Sequence, residues 1–174
     1  MAESTPAGWR PLSAEEAREH RERFAAAVGF QPSTDPADWP GITEPPGSMT
    51  FDLTVPPGPT WAATYAAVNA EALRTFVTAL PDVPQWIVLD WQHQAYAFRP
   101  AEQLLSDEPR WAVPVYPDGD YYTFLTPDHT AGTFGHPWER TLCVFGHPLV
   151  ATLGLTLGTW LPVVRVGGRP WTNG

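Results

Sequence analysis

Proline sets the limits of every regular element this chain can form. The chain has 21 prolines in 174 residues. Each removes a backbone donor and fixes φ, so it ends or excludes regular structure where it falls inside an element. Pro32, Pro36, Pro40, Pro45 and Pro46 make residues 31–47 an extended wrap, with Trp39 and Ile42 available to pin it. Pro56-Pro57-Gly58-Pro59 is a hard break, and Pro81 and Pro84 stop whatever precedes them. Two helices fit between these stops. Ser13-Ala14-Glu15-Glu16 is a capping box, and the helix it opens runs to Val28 before Gly29. Thr60 is placed to cap a second helix over Trp61–Leu80, with Tyr65, Val68, Ala72, Phe76 and Leu80 at helical spacing. Between the helices, Met49–Val55 alternates as a strand.

Beyond Pro84 the period changes to two. Trp86–Trp91 and Arg140–Phe145 are nearly continuous in apolar residues, as central strands are. Shorter strands are expected at Ala95–Phe98, Trp111–Tyr116, Tyr121–Leu125, Ala131–Phe134 and Leu161–Val166. Pro117-Asp118-Gly119-Asp120 has the composition of a hairpin turn between two of them. Pro100 can open a short helix, and so can Pro148. Clustered strands with short turns predict an α+β fold. The expectation is a mostly antiparallel sheet of about five to six strands, with two or three helices packed on one face. Residues 11–167 form a single domain on this reading, with flexible tails at 1–10 and 168–174.

The formal charge of -9, without a single Lys, leaves no basic stripe for nucleic-acid phosphates or an anionic membrane surface. One cysteine, Cys143, allows no intrachain disulfide, and its place in an apolar strand predicts a buried, inert thiol. With no signal peptide and no transmembrane run in view, a cytoplasmic location is expected.

Three segments carry candidate chemistry. In Asp90-Trp91-Gln92-His93, a carboxylate ends an apolar strand with a histidine three residues on. The pair suits general acid–base work, or Asp90 simply caps the turn amides. In Pro117-Asp118-Gly119-Asp120-Tyr121-Tyr122, two carboxylates across a glycine could meet a divalent cation, or they are turn residues. In Gly135-His136-Pro137-Trp138-Glu139-Arg140, Glu139 could orient His136, or the two could ligate a metal with a third group, or the loop is purely structural. The spacing falls short of a full metal motif, so no metal ligand set is assigned. No glycine loop or dinucleotide fingerprint names a cofactor.

Leu89-Asp90-Trp91-Gln92-His93, Tyr96-x-Phe98, Pro117-Asp118-Gly119-Asp120-Tyr121-Tyr122-x-Phe124-Leu125 and Gly132-Thr133-Phe134-Gly135-His136-Pro137-Trp138-Glu139-x-Thr141-Leu142-Cys143 together resemble the DUF2716 family of bacterial proteins. Gly29-Phe30-x-Pro32-Ser33 and Thr50-Phe51-Asp52 are similar as well, and the resemblance spans about residues 24–166. That family label denotes unknown function, so the resemblance implies a small bacterial protein and assigns no roles.

The residues themselves predict a small-molecule-binding protein with an aromatic and acidic pocket. Asp90, His93, His136 and Glu139 are the catalytic candidates, with acid–base chemistry as the option. Trp91, Asp118, Asp120, Tyr122 and Trp138 are the ligand-binding candidates. An acidic site favours a neutral or cationic ligand. The alternative is a protein-binding module of an immunity or regulatory type, whose acidic surface meets a basic partner.

Overall fold

A computed structural model describes residues 4–172. Nine strands form one sheet in the order β1-β4-β3-β5-β6-β7-β2-β8-β9, antiparallel at every pairing. They are β1 (Trp9–Pro11), β2 (Met49–Asp52), β3 (Trp86–Asp90), β4 (Tyr96–Phe98), β5 (Tyr122–Leu125), β6 (Gly132–His136), β7 (Thr141–Phe145), β8 (Val163–Val166) and β9 (Arg169–Pro170). The four helices are α1 (Ala14–Val28), α2 (Pro59–Thr78), α3 (Pro100–Leu104) and α4. The last runs His147–Leu149, widens to a π-helical turn at Val150–Gly154 and resumes at Leu155–Leu157.

This corrects the expected architecture. Nine strands replace five to six, four helices replace two or three, and the helices cover both faces of the sheet. Period two explains the layering, because successive strand residues point to opposite faces. On one face Trp86, Val88, Phe124, Leu142 and Val144 pack against Val68, Ala72 and Phe76 of α2 and Leu149, Leu153 and Leu157 of α4. On the other, Ile87, Leu89, Leu125, Cys143 and Phe145 pack against Ala17, Phe24 and Val28 of α1. Trp86 stacks on Phe76 with ring centroids 4.2 Å apart. Each such fully buried apolar side chain is worth about 1.5–3 kcal/mol of transfer free energy.

Local chemistry sets the helix ends. Ser13 and Glu16 make both bonds of the capping box, and Glu15 and Glu16 complement the positive end of the helix dipole. Gly29 closes α1 with φ 63°. For α2 the cap differs from expectation. The helix begins at Pro59 on an N-cap Gly58 that offers no side-chain bond, so Thr60 is already inside it and Trp61 sits in its first turn.

Two segments read otherwise in the sequence. Trp111–Tyr116 is not a strand. Pro114 cannot donate to a ladder, and the amides of Val115 and Tyr116 both donate to Asn69 Oδ1 of α2, at 2.8 and 3.0 Å. The alternation there reflects burial of Val113 and Val115 against the helix. Consequently Pro117–Asp120 joins no hairpin, and β5 pairs with β3 and β6. The stretch 1–10 read as tail holds Trp9 and Arg10 of β1, with Trp9 buried and stacked on Phe98, and its residues 1–3 lie outside the described residues. Likewise β9 lies in the stretch read as the second tail.

The proline wrap is irregular apart from a 3-10 turn at Pro36–Asp38. It is held by side chains: Tyr121 Oη donates to the Ser33 carbonyl and accepts from the Ser33 amide, both at 3.0 Å. No helix among the described residues is long and apolar enough to cross a membrane.

Register places the candidate segments on one rim. Asp90 at the end of β3 faces Tyr122, Tyr122 faces Gly135, Gly135 faces Leu142, and Leu142 faces Phe51. The turns after β3, before β5 and between β6 and β7 therefore cluster at the same end of the sheet.

Candidate functional site

At that rim the first polar group is Asp90, Asp120 and His93. After β3 the chain bends, and Arg21 of α1 holds the bend by donating Nη2 to the carbonyls of Asp90 (2.8 Å) and His93 (2.6 Å). The bend returns His93 over the strand end. Its Nδ1 lies 2.9 Å from Asp90 Oδ1 and 3.5 Å from Asp120 Oδ2. Asp120 is buried just before β5, and its Oδ1 accepts the Tyr121 amide at 2.8 Å. Burial raises the Asp90 carboxyl above its ordinary range, against the opposing bond from His93, and the Asp120 charge adds to the rise. The bond to Asp90 raises His93 in turn. Beside this trio, Tyr122 donates its hydroxyl to Asp118 at 3.0 Å. Burial first, and then the Asp118 charge, push that phenol well above its usual range.

His136 and Glu139 are arranged differently. His136 ends β6 with no exposed surface. Its Nδ1 accepts the backbone amide of Glu139 at 3.0 Å, which places the proton of the neutral ring on Nε2. The Glu139 carboxylate turns away. It accepts from Arg165 at 2.7 and 2.9 Å and from the Thr141 hydroxyl at 2.7 Å. Arg165 also grips Glu44. Burial pushes His136 down to about 4. Burial works to raise Glu139, yet Arg165 and Thr141 outweigh it and hold the carboxyl below its ordinary value. The ring of His136 is enclosed by Tyr121 and Trp39, at centroid distances of 4.8 and 5.3 Å.

The aromatic candidates separate too. Trp91 lies on the α1 face against Phe30 and Tyr121, at the wall of an apolar cavity of about 340 Å³. Trp138 lies at the β6–β7 turn, 40% exposed, and lines a larger groove of about 530 Å³. Trp61, Tyr116, Asp118 and Arg140 line that groove with it. Trp61 is 37% exposed, stacks on Tyr65 at 5.2 Å and meets Tyr116 edge-on at 5.9 Å. Arg140 has φ 58°, a left-handed backbone rare for a side chain of its size. Its guanidinium makes no ion pair or hydrogen bond among the described residues.

The structure thus brings Asp90, His93 and Asp120 together, with Tyr122 and Asp118 adjoining. It places Asp118 and Trp138 in one groove, His136 and Glu139 in a buried network, and Trp91 on the α1 face, where Tyr121 touches Trp91, His136 and Trp138 alike. Sequence reasoning missed Trp61, Tyr116, Arg140, Arg165 and Glu44. Trp61 carried the one legible signal, a large aromatic in the first turn after a proline break.

A family model described as "Protein of unknown function (DUF2716)" matches residues 11–150. The uncharacterized protein YxiI of Bacillus subtilis (strain 168) is 44% identical over 41 residues, which cover 24% of this chain and 25% of that protein. The aligned stretch is thus a quarter of that relative's length. No solved structure matches the chain.

Proposed function

The chain belongs to the DUF2716 family, whose description assigns no activity, and we propose that it is a small-molecule-binding protein whose ligand lies in the groove between α2 and the β6–β7 turn. One observation carries the reading: Trp61 and Trp138, far apart in sequence and both partly exposed, flank one 530 Å³ groove that also contains Asp118. That volume suits an ordinary small organic ligand. Partly exposed tryptophans bordering a concavity offer flat faces for a ring or a cation. Asp118 supplies the acidic anchor, and its Tyr122 bond fixes the carboxylate. The ligand class is a small organic cation or neutral molecule with a ring or an alkylated amine. The overall charge of -9 draws such a cation in and repels anions. Arg140 adds one donor for an acceptor group on the same molecule.

The test is a ligand-observed NMR screen of small amines and aromatic amines against the protein and its Asp118→Asn/Trp138→Ala variant. Hits that disappear in the variant, while its melting temperature stays within a few degrees, support the groove. Hits that persist unchanged, or a screen with none, count against it.

A further inference from the structure

We propose that Asp90, His93 and Asp120 form a binding site for a divalent first-row transition-metal ion of the zinc or manganese type. The ligand atoms are Asp90 Oδ1, His93 Nδ1 and Asp120 Oδ2, and the three residues offer atoms that all lie within 4.8 Å of one another. None of the three lines the groove, although Asp118 borders both, and neither reading depends on the other.

Geometry is the first argument. Two atoms each about 2.1 Å from one ion stand ~3–4 Å apart. The separations from His93 Nδ1 are 2.9 Å, at the short edge of that span, and 3.5 Å, inside it. His93 can adjust, because its side chain is 67% exposed and sits on a bend. The bend itself is fixed by Arg21, whose guanidinium goes to the carbonyls of Asp90 and His93. That is the kind of outer contact that holds a ligand in place.

The second argument comes from Asp120. Its side chain is only 9% exposed. Oδ1 is taken by the Tyr121 amide. Among the described residues Oδ2 meets the His93 ring nitrogen at 3.5 Å, longer than an ordinary hydrogen bond. A buried carboxylate requires a compensating partner. Here two carboxylates converge on one imidazole, so a dication supplies what a single proton on His93 only half supplies.

The donor set selects the ion. One nitrogen and two carboxylate oxygens, without sulfur, suit zinc, manganese or iron(II). Calcium and magnesium favour oxygen alone. Three protein ligands leave positions for water.

The experiment uses the untagged full chain, stripped with a chelator. It is titrated with Zn²⁺ by calorimetry and with Mn²⁺ by electron paramagnetic resonance. One ion per chain is expected, weakened by more than ~10-fold in His93→Ala and in Asp120→Asn. His93→Ala removes an exposed side chain, so it remains informative if Asp120→Asn fails to fold. His129→Ala is the control, because His20 and His129, both half-buried, put two ring nitrogens 3.0 Å apart elsewhere in the fold. Binding that survives His93→Ala, that vanishes in His129→Ala, or that is absent at ~1 mM metal overturns the proposal.

Discussion

Arg165 of β8 grips Glu44 of the proline wrap through two guanidinium nitrogens, Nε at 3.0 and 3.1 Å from the two carboxylate oxygens and Nη2 at 2.8 Å from one of them. The Glu44 side chain is 1% exposed. The same guanidinium reaches Glu139, so one cation holds the wrap, the last long strand and the β6–β7 turn together. Removing the cation leaves an uncompensated buried carboxylate, which costs about 3–5 kcal/mol. Arg165→Met should lose that much in urea unfolding. Adding Glu44→Gln should recover part of it, since the stranded charge is then gone. Equal stabilities for the single and double variants would show that Glu44 is not the buried charge that matters.

Acid should destabilise the protein before the carboxylates titrate. His136 stays neutral in the fold down to about 4, whereas a free imidazole protonates near 6.5. Between those values the unfolded chain binds the extra proton, so stability falls as pH drops through that window. The full effect for this ring is up to ~3 kcal/mol. His129, also held down to about 4 by burial, acts in the same direction. His136→Asn keeps an acceptor for the Glu139 amide and should flatten, without abolishing, the loss of melting temperature between pH 6.5 and 4.5. A variant curve parallel to that of the parent would remove His136 from the account.

Cys143 is 1% exposed on the α1 face of β7, and burial pushes its thiol up to about 12. Thiolate chemistry is closed to it at neutral pH. A chromogenic disulfide reagent should label it only as fast as the native state opens, and stoichiometrically in denaturant. Labelling within seconds of mixing with native protein would contradict the packing described around β7.

Much of the fold was legible because the signals were local. The capping box at Ser13, the helical spacing in α2 and the apolar runs of β3 and β7 need only neighbouring residues. What escaped was set by distant partners. β1 and β9 are two or three residues long and exist because β4 and β8 offer open edges. Trp111–Tyr116 has strand-like alternation, but its amides were claimed by Asn69, 46 residues earlier. The same holds at the rim. Asp90 and His93 are three apart and found each other as their spacing suggested. Glu139 was three from His136, but its carboxylate went to Arg165, which in turn is bound to Glu44, 121 residues away. The apolar run of β3 marked it as central, yet one helical layer was expected, whereas α1 and α2 cover opposite faces.

The strand order has a consequence for the newly made chain. β2 pairs with β7 and β8, whose residues follow it by about 90 positions or more. At ribosomal rates of ~5–20 residues per second, β2 waits on the order of 5–20 s without either neighbour. During that time Phe51 and Leu53, fully buried in the finished protein, have no sheet to enter. An unpaired apolar strand is a template for another chain. Here Pro45 and Pro46 precede it and Pro56 and Pro57 follow it. They deny an incoming strand the run of donors it would need to extend, so the prolines that confine the native elements also guard the nascent one.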